Sequence, residues 1–132
     1  MAAHLDTLPP LPNVGGLGSE RSTPANILAL TLDYGPDTVA SAQETLRAVA
    51  HRCSGGRPHL LIDLRMATDQ SEGARLCYRH TLVHLVDRIA IVVGPNVSRF
   101  LGEFLVLALR KHHDVRLFLN EDHARLWVSQ AE

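Results

Sequence analysis

The sequence lacks the features of a disulfide-stabilised, nucleic-acid-binding or membrane-spanning protein. Its 132 residues include only two cysteines, Cys53 and Cys77, which form no CxxC pair. The formal net charge is −1, whereas surfaces that bind nucleic acid usually carry a basic excess. No apolar run approaches the roughly 20 residues that span a bilayer, and the N-terminus does not resemble a signal peptide. We therefore predict a cytoplasmic protein with reduced thiols, no membrane span and no nucleic-acid partner.

Catalytic and metal-binding motifs are also missing. His80 and His84 stand four residues apart and could face one metal ion, but no third ligand lies nearby and the glutamate of zinc proteases is absent. The glycines within 15–18 follow no strand and lack the last glycine of a dinucleotide fingerprint. No serine stands in a Gly-x-Ser-x-Gly elbow. The sequence thus predicts no catalytic residue, no metal site and no cofactor.

The chain divides into an irregular segment and one regular domain. Residues 1–25 are rich in proline and glycine and show neither a helical nor a strand period. This composition predicts an extended or partly disordered segment, in which residues 13–20 could add an edge strand. Residues 26–132 are long enough to enclose a single apolar core without a metal or a disulfide.

Within this domain, short apolar runs alternate with amphipathic stretches. The unbroken runs indicate strands buried on both faces, and the stretches repeat apolar residues with a helical period. Their alternation predicts an α/β fold, with a four- to five-stranded, mostly parallel sheet and helices packed against it. The predicted strands are 27–33, 59–64, 89–93 and 115–119, and the predicted helices are 39–50, 70–86, 97–111 and a short helix capped by Asn120 that buries most of Trp127.

The helix predicted over residues 97–111 is apolar nearly all round. A helix on one face of a sheet needs only one apolar stripe. A second stripe left in water loses about 25 cal/mol of stabilising free energy for each Å² that is not buried. A two-fold symmetric dimer is the commonest way to cover such a surface. We therefore predict a homodimer whose interface includes Phe100, Phe104 and Leu107. The alternative is that another helix or the N-terminal segment of the same chain covers it.

A carboxylate follows the second predicted strand, in Leu60-Leu-Ile-Asp63-Leu-Arg65-Met. The end of a buried parallel strand is where open α/β folds place their sites, so Asp63 and Arg65 form a candidate strand-end site. The segment resembles the phosphoacceptor strand of two-component receiver domains. However, Asp33 is followed by Tyr34 instead of a second acid, and Asn120 stands where a receiver has its lysine. A degenerate receiver-like domain is therefore a second alternative, and we expect Asp63 to be structural.

A longer resemblance extends from about residue 26 to residue 128. The chain resembles SpoIIAA-like domains, also called STAS/SEC14-type domains, which are related to bacterial anti-sigma-factor antagonists. This resemblance implies a four- to five-stranded sheet with helices packed against it. The motifs that carry it are Leu61-Ile-Asp63-Leu, Ala90-Ile-Val-Val, Ser98-Arg99 at the start of an apolar helix, and Arg116-Leu-Phe followed by Asn120-Glu-Asp-His-Ala-Arg-Leu-Trp127.

In the antagonist branch of that family, a serine in the loop after the Asp-Leu strand accepts phosphate from a partner kinase. The resemblance therefore marks Thr68, Asp69 and Ser71 as a candidate phosphoacceptor or partner loop, with Ser71 in the comparable place. The family's Asp-Ser-Ser run is absent, and Glu72 would oppose a dianion. Asp69 and Glu72 also resemble a capping box, so a solvated serine at a helix start is the alternative.

The sequence and the resemblance together predict a non-enzymatic regulatory or protein-interaction module. Its partners would be a second copy of the chain and a regulatory protein. The SEC14 side of the resemblance supports a different alternative, a domain that binds a small apolar ligand. Fold resemblance carries function only weakly, so the site itself has to decide between them.

Overall fold

A computed structural model describes residues 3–9, 27–53 and 56–130 of the chain. These residues contain seven strands and four helices. In chain order they are β1 (Ala3–Leu8), β2 (Ile27–Leu32), β3 (Pro36–Asp37), α1 (Val39–Arg52), β4 (His59–Asp63), β5 (Asp69–Gln70), α2 (Glu72–Leu82), β6 (Arg88–Val92), α3 (Val97–Leu109), β7 (Asp114–Phe118) and α4 (Glu121–Ser129).

The central sheet has the strand order β1-β2-β4-β6-β7, and β3 pairs with β5 in a separate two-stranded sheet. Strand β1 runs antiparallel to β2, whereas the other neighbours in the central sheet are parallel. The prediction of a mostly parallel sheet with packed helices is confirmed. This order differs from the 2-1-3-4-5 order of flavodoxin-like folds such as receivers. Strand β6 is buried along its whole length, as its unbroken apolar core led us to expect.

The edge strand lies earlier in the chain than the sequence suggested. Residues 13–20, where we expected it, lie outside the described residues, and the edge strand of the structure is β1. Its residue Leu5 stands opposite Leu30 of β2. Arg52, at the end of α1, donates hydrogen bonds to the hydroxyl of Thr7 (2.8 Å) and to the carbonyl of Leu5 (3.2 Å). Long-range pairing, which leaves no local pattern in the sequence, therefore makes this segment a strand.

Helices cover the two faces of the sheet unequally. On one face, α1, α2 and α3 enclose the larger apolar cluster, together with alternate strand residues such as Leu30, Ile62 and Ile91. On the other face, α4 places Ala124 and Val128 against a smaller cluster. We call these the three-helix face and the α4 face. Among the described residues, no helix is long and apolar enough to cross a membrane.

Helix α2 begins later and ends earlier than predicted. Asp69 and Gln70 form β5, so Asp69 is not the cap that the sequence suggested. Ser71 is the N-cap instead, and its hydroxyl accepts a hydrogen bond from the backbone of Ala74. Pairing of β5 with β3 takes Gln70 from the predicted helix and Asp69 from its predicted cap, which is a tertiary effect. Asn120 caps α4 as predicted.

Helix α3 lies unusually close to the sheet at Gly102. A Cβ atom at this position would stand 2.5 Å from Cγ1 of Val93 and 2.8 Å from Cδ1 of Leu117, both of which belong to the strand layer. The glycine therefore permits the close approach. The inward side of α3 is then sealed by buried Leu101, Leu105 and Leu109.

Candidate functional site

The outward side of α3 carries a row of exposed apolar side chains. Val97 is 47% exposed, Phe100 61%, Phe104 50% and Leu107 54%. We call these four residues the α3 stripe. The structure thus places Phe100, Phe104 and Leu107, the predicted interface residues, together on one surface. Exposed apolar patches of this kind mark contact sites more often than chance would place them.

Charged side chains border the α3 stripe on both sides. The guanidinium of Arg75, from α2, lies 5.2 Å from the centroid of the Phe104 ring, within the range of a cation–π contact. On the opposite flank, Arg99 and Glu103 form an exposed ion pair one helical turn apart, with 3.3 Å between nitrogen and oxygen. The stripe is therefore an apolar centre with a polar rim, the usual anatomy of a protein interface.

The predicted phosphoacceptor loop lies where α1 and α2 begin. Ser71 is exposed, but its hydroxyl already caps α2, and its backbone N–H donates to the carbonyl of Asp37 at 2.9 Å. The hydroxyl of Thr68 accepts a hydrogen bond from the backbone of Gly35 at 3.1 Å, and Asp69 is exposed. The loop is thus tied to the connection between β2 and α1. Its hydroxyl groups have structural roles in this arrangement.

A buried carboxylate lies beneath this loop. Asp37 is 1% exposed and accepts hydrogen bonds from the hydroxyl of Tyr78 at 2.7 Å, the amide of Gln70 at 3.1 Å and the hydroxyl of Ser41 at 2.6 Å. Burial, and next the charge of Asp37, raise the pKa of Tyr78, so the phenol stays a donor. The network joins β3, β5, α1 and α2. We did not identify it from the sequence, where only the four-residue spacing of Asp37 and Ser41 offered a clue.

The strand-end carboxylate is held by its neighbour in sequence. Arg65 donates to both carboxylate oxygens of Asp63, with nitrogen–oxygen distances of 3.0 and 2.7 Å, and also contacts Glu121 at the start of α4. These carboxylates raise the pKa of Arg65, with the hydrogen bond to Asp63 as the largest cause. The structure therefore gives Asp63 and Arg65 a bridging role between β4 and α4. The other carboxylate compared with receiver domains, Asp33, contacts His4 at 3.1 Å.

The two histidines of α2 and the turn after it do not form part of a metal cluster. Throughout residues 3–9, 27–53 and 56–130, no group of three or more histidine, cysteine or acidic side chains is placed to hold a metal ion. His80 instead lies beside a surface groove of about 640 Å³ between α1 and α2. The other residues of this α1–α2 groove are Gln43, Leu46, Arg47, Ala50, Leu76, Cys77 and Thr81.

Two arginines contact the Trp127 ring on the α4 face. The guanidinium of Arg88 is 4.6 Å from its ring centroid and that of Arg116 is 5.1 Å away. The Phe118 ring is tilted by 46° to the indole, with 5.7 Å between centroids. Arg88 also donates to the carbonyl of Trp127 at 3.1 Å and pairs with Asp114 at 3.3 Å. Trp127 is intermediate in burial and packs against the smaller apolar cluster of the α4 face. Its arginine contacts depend on strand neighbours that sequence spacing does not reveal.

Comparisons with known proteins agree with this architecture. A family model described as "Domain of unknown function (DUF7793)" matches residues 25–132. A search of curated proteins finds no match. Among solved structures, the chain is similar to an uncharacterised protein of the DUF3478 family from Shewanella loihica PV-4, which is described as having a SpoIIAA-like fold. The TM-score is 0.62 at 16% sequence identity, covering 96% of this chain and 93% of the other. The likeness to a SpoIIAA-like fold is thereby confirmed.

Proposed function

This chain belongs to the family described as domain of unknown function DUF7793, and we propose that it is a non-enzymatic module that binds another protein through the α3 stripe. The observation that carries the proposal is the exposure of four large apolar side chains along one helix, whose opposite side is already packed against the sheet. Each Å² of apolar surface that a partner buries would contribute about 25 cal/mol of favourable free energy. Two partners fit this surface, a second copy of the chain and a regulatory protein.

The experiment compares two matched charge substitutions. Phe100 on α3 and Leu119 after β7 are both 61% exposed, so Phe100→Glu and Leu119→Glu place the same charge on equally accessible positions. Tagged protein would be purified from its own cells, and its complexes quantified by native mass spectrometry. We expect Phe100→Glu to lose complexes that wild type and Leu119→Glu retain. Equal retention by both variants would contradict the proposal.

The loop of Thr68, Asp69 and Ser71 is the proposed regulatory element of this module. Exposure of Ser71 supports it, whereas the capping role of its hydroxyl and the neighbouring Glu72 oppose a phosphate there. Phosphopeptide mapping of protein from its own cells, with Ser71→Ala as the control, tests this directly. A chain that carries no phosphate on Ser71 under any growth condition would remove the regulatory role.

A second candidate function is the binding of a small apolar ligand. The observation that favours it is the α1–α2 groove. Its volume of about 640 Å³ lies within the usual range of ligand-binding sites, and the apolar side chains of Leu46, Leu76 and Cys77 line it. The test is an NMR titration with decanoate. Shifts confined to α1 and α2, and lost in Leu76→Arg, would support this function. Shifts spread over the α3 stripe would contradict it.

The proposed location is the cytoplasm. The structure leaves the thiols of both Cys53 and Cys77 free, and the pKa of Cys53 is raised by burial. A buried thiol with a raised pKa is protected from oxidation, and reducing compartments keep such cysteines free. Fluorescence microscopy of the tagged chain in its own cells would test this location.

A further inference from the structure

The α3 stripe has a symmetric spacing. Its residues Val97, Phe100, Phe104 and Leu107 follow one another at steps of three, four and three positions, so the pattern is the same in both chain directions. The centre of this pattern is Gly102. A helix with such a stripe can pack against an antiparallel copy of itself with every apolar side chain opposite another, because reversing the direction leaves the spacing unchanged.

We propose that the partner at this surface is a second copy of the chain, related by a two-fold axis at the level of Gly102 and packed antiparallel through α3. This inference rests on the proposed function, since it names the occupant of the same surface. In this arrangement Phe100 of each copy lies opposite Phe104 of the other, and Val97 lies opposite Leu107. Two-fold contacts of this self-complementary kind are the commonest way in which identical chains associate.

The charges on the outer flank fit this arrangement. A two-fold axis of this orientation keeps each flank of one helix against the same flank of the other, so Arg99 and Glu103 of the two copies share one side. With a rise of about 1.5 Å per residue, Arg99 of one copy and Glu103 of the other are separated by only about 3 Å along the helix axis. Both side chains are about half exposed, at 56% and 49%. This shared flank would then carry two ion pairs between the copies, and the opposite flank carries Arg75.

The exposed area predicts a dimer of moderate affinity. An aromatic side chain brings roughly 150–250 Å² to an interface, and the stripe residues are about half exposed, so the stripe contributes on the order of 400 Å² per copy. Stable interfaces bury about 800 Å² per partner, so the polar rim must supply the rest. The dimer should therefore depend on concentration in the micromolar range, where sedimentation can resolve both species.

The test uses charge substitutions that distinguish contacts between copies from contacts within one helix. Glu103→Arg leaves two positive charges on the flank, and Arg99→Glu leaves two negative charges. Each variant alone loses both the pair within its own helix and the pairs between copies. Mixed together, they restore only the pairs between copies. We expect sedimentation equilibrium to show weaker dimers for each variant alone and a roughly tenfold tighter dimer for the equimolar mixture.

Several outcomes would overturn this inference. Wild-type protein that stays monomeric at about 100 µM would rule out a second copy as the partner. That concentration is on the order of a hundred times a dissociation constant of about 1 µM, so a dimer of micromolar affinity would be populated. Dimers that are insensitive to both charge substitutions and to mixing would place the interface elsewhere. At protein concentrations too low for dimers, both variants should unfold close to the wild-type temperature, since the two positions are exposed. A monomeric chain that still loses a different protein partner on Phe100→Glu would leave the proposed function standing.

Discussion

The two faces of the sheet are stabilised in different ways. The three-helix face encloses a continuous apolar cluster that reaches from α1 across α2 to α3. The α4 face has one short helix and a small cluster, and arginines hold that helix at both ends. Arg65 contacts Glu121 where α4 begins, and Arg88 contacts Trp127 where it ends. The comparison teaches that a large apolar cluster stabilises one face, whereas on the other a smaller cluster is supplemented by cationic contacts to its helix.

Truncation in the core of the three-helix face should have the largest effect. Leu105 is 1% exposed, and Leu105→Ala should lower the free energy of unfolding by about 3–4 kcal/mol, because the cavity left by the side chain cannot collapse fully. Leu107→Ala, on the exposed side of the same helix, is the matched control and should cost less than about 1 kcal/mol. Urea denaturation at low protein concentration measures both. Equal losses would show that α3 is not packed as described.

Truncation on the α4 face should cost less. Trp127→Ala should lower the free energy of unfolding by about 2–3 kcal/mol, below the 3–5 kcal/mol of a fully buried aromatic, because the ring is partly exposed and its arginine contacts replace part of the burial. The control is Leu126→Ala, at the neighbouring exposed position of α4. The same denaturation assay applies. A loss as large as that of Leu105→Ala would break the contrast between the two faces.

A buried histidine adds a pH-dependent contribution to the three-helix face. His113 donates through Nε2 to the carbonyl of Leu82 at 3.0 Å, and burial lowers its pKa, with the charges of Arg57 and His112 acting in the same direction. The unfolded chain takes up this proton near pH 6.5, whereas the folded chain resists it. The stabilisation is therefore complete above about pH 6.5 and is lost as the pH falls below that value.

The measurement compares His113→Gln with the exposed control His112→Gln. We expect the free energy of unfolding of wild type and His112→Gln to fall more steeply between pH 7.5 and 5.5 than that of His113→Gln. The difference should be smaller than either truncation effect, since His113 keeps its backbone acceptor at every pH. Parallel pH profiles for all three proteins would refute the prediction.

The bridge at the start of α4 should have the smallest effect. Arg65 and Glu121 are 42% and 51% exposed, so water screens their attraction, and Arg65→Gln should cost less than about 1 kcal/mol. High salt should reduce even that difference. Hydrogen exchange of the amides in the first turn of α4 would show a local effect, with Arg99→Gln as the control on α3. A loss larger than that measured for Trp127→Ala would mean that the α4 face depends on this bridge more than on Trp127.

Periodicity in the sequence was sufficient for the central elements. The buried runs around Ile62 and Ile91 predicted parallel strands, and the apolar repeats of α1 and α3 predicted helices, because both patterns arise from local geometry. The start of α2 was misplaced, since β5 forms only when β3 lies beside it. Strand β1 was missed for the same reason. Within the candidate site, the α3 stripe was predicted from its excess of apolar residues, but its charged rim was not.

The sequence by itself therefore determined the fold class, the alternation of strands and helices, and the surplus of apolar residues on α3. Each of these depends on the order of residues along one segment, which the chain displays directly. Only the tertiary structure decided that Asp37 is buried beneath Ser71, that Arg75 lies over Phe104 and that two arginines contact Trp127. These contacts join residues that are distant in sequence, and their formation depends on how the helices pack on the sheet, because burial and charge act between neighbours in space.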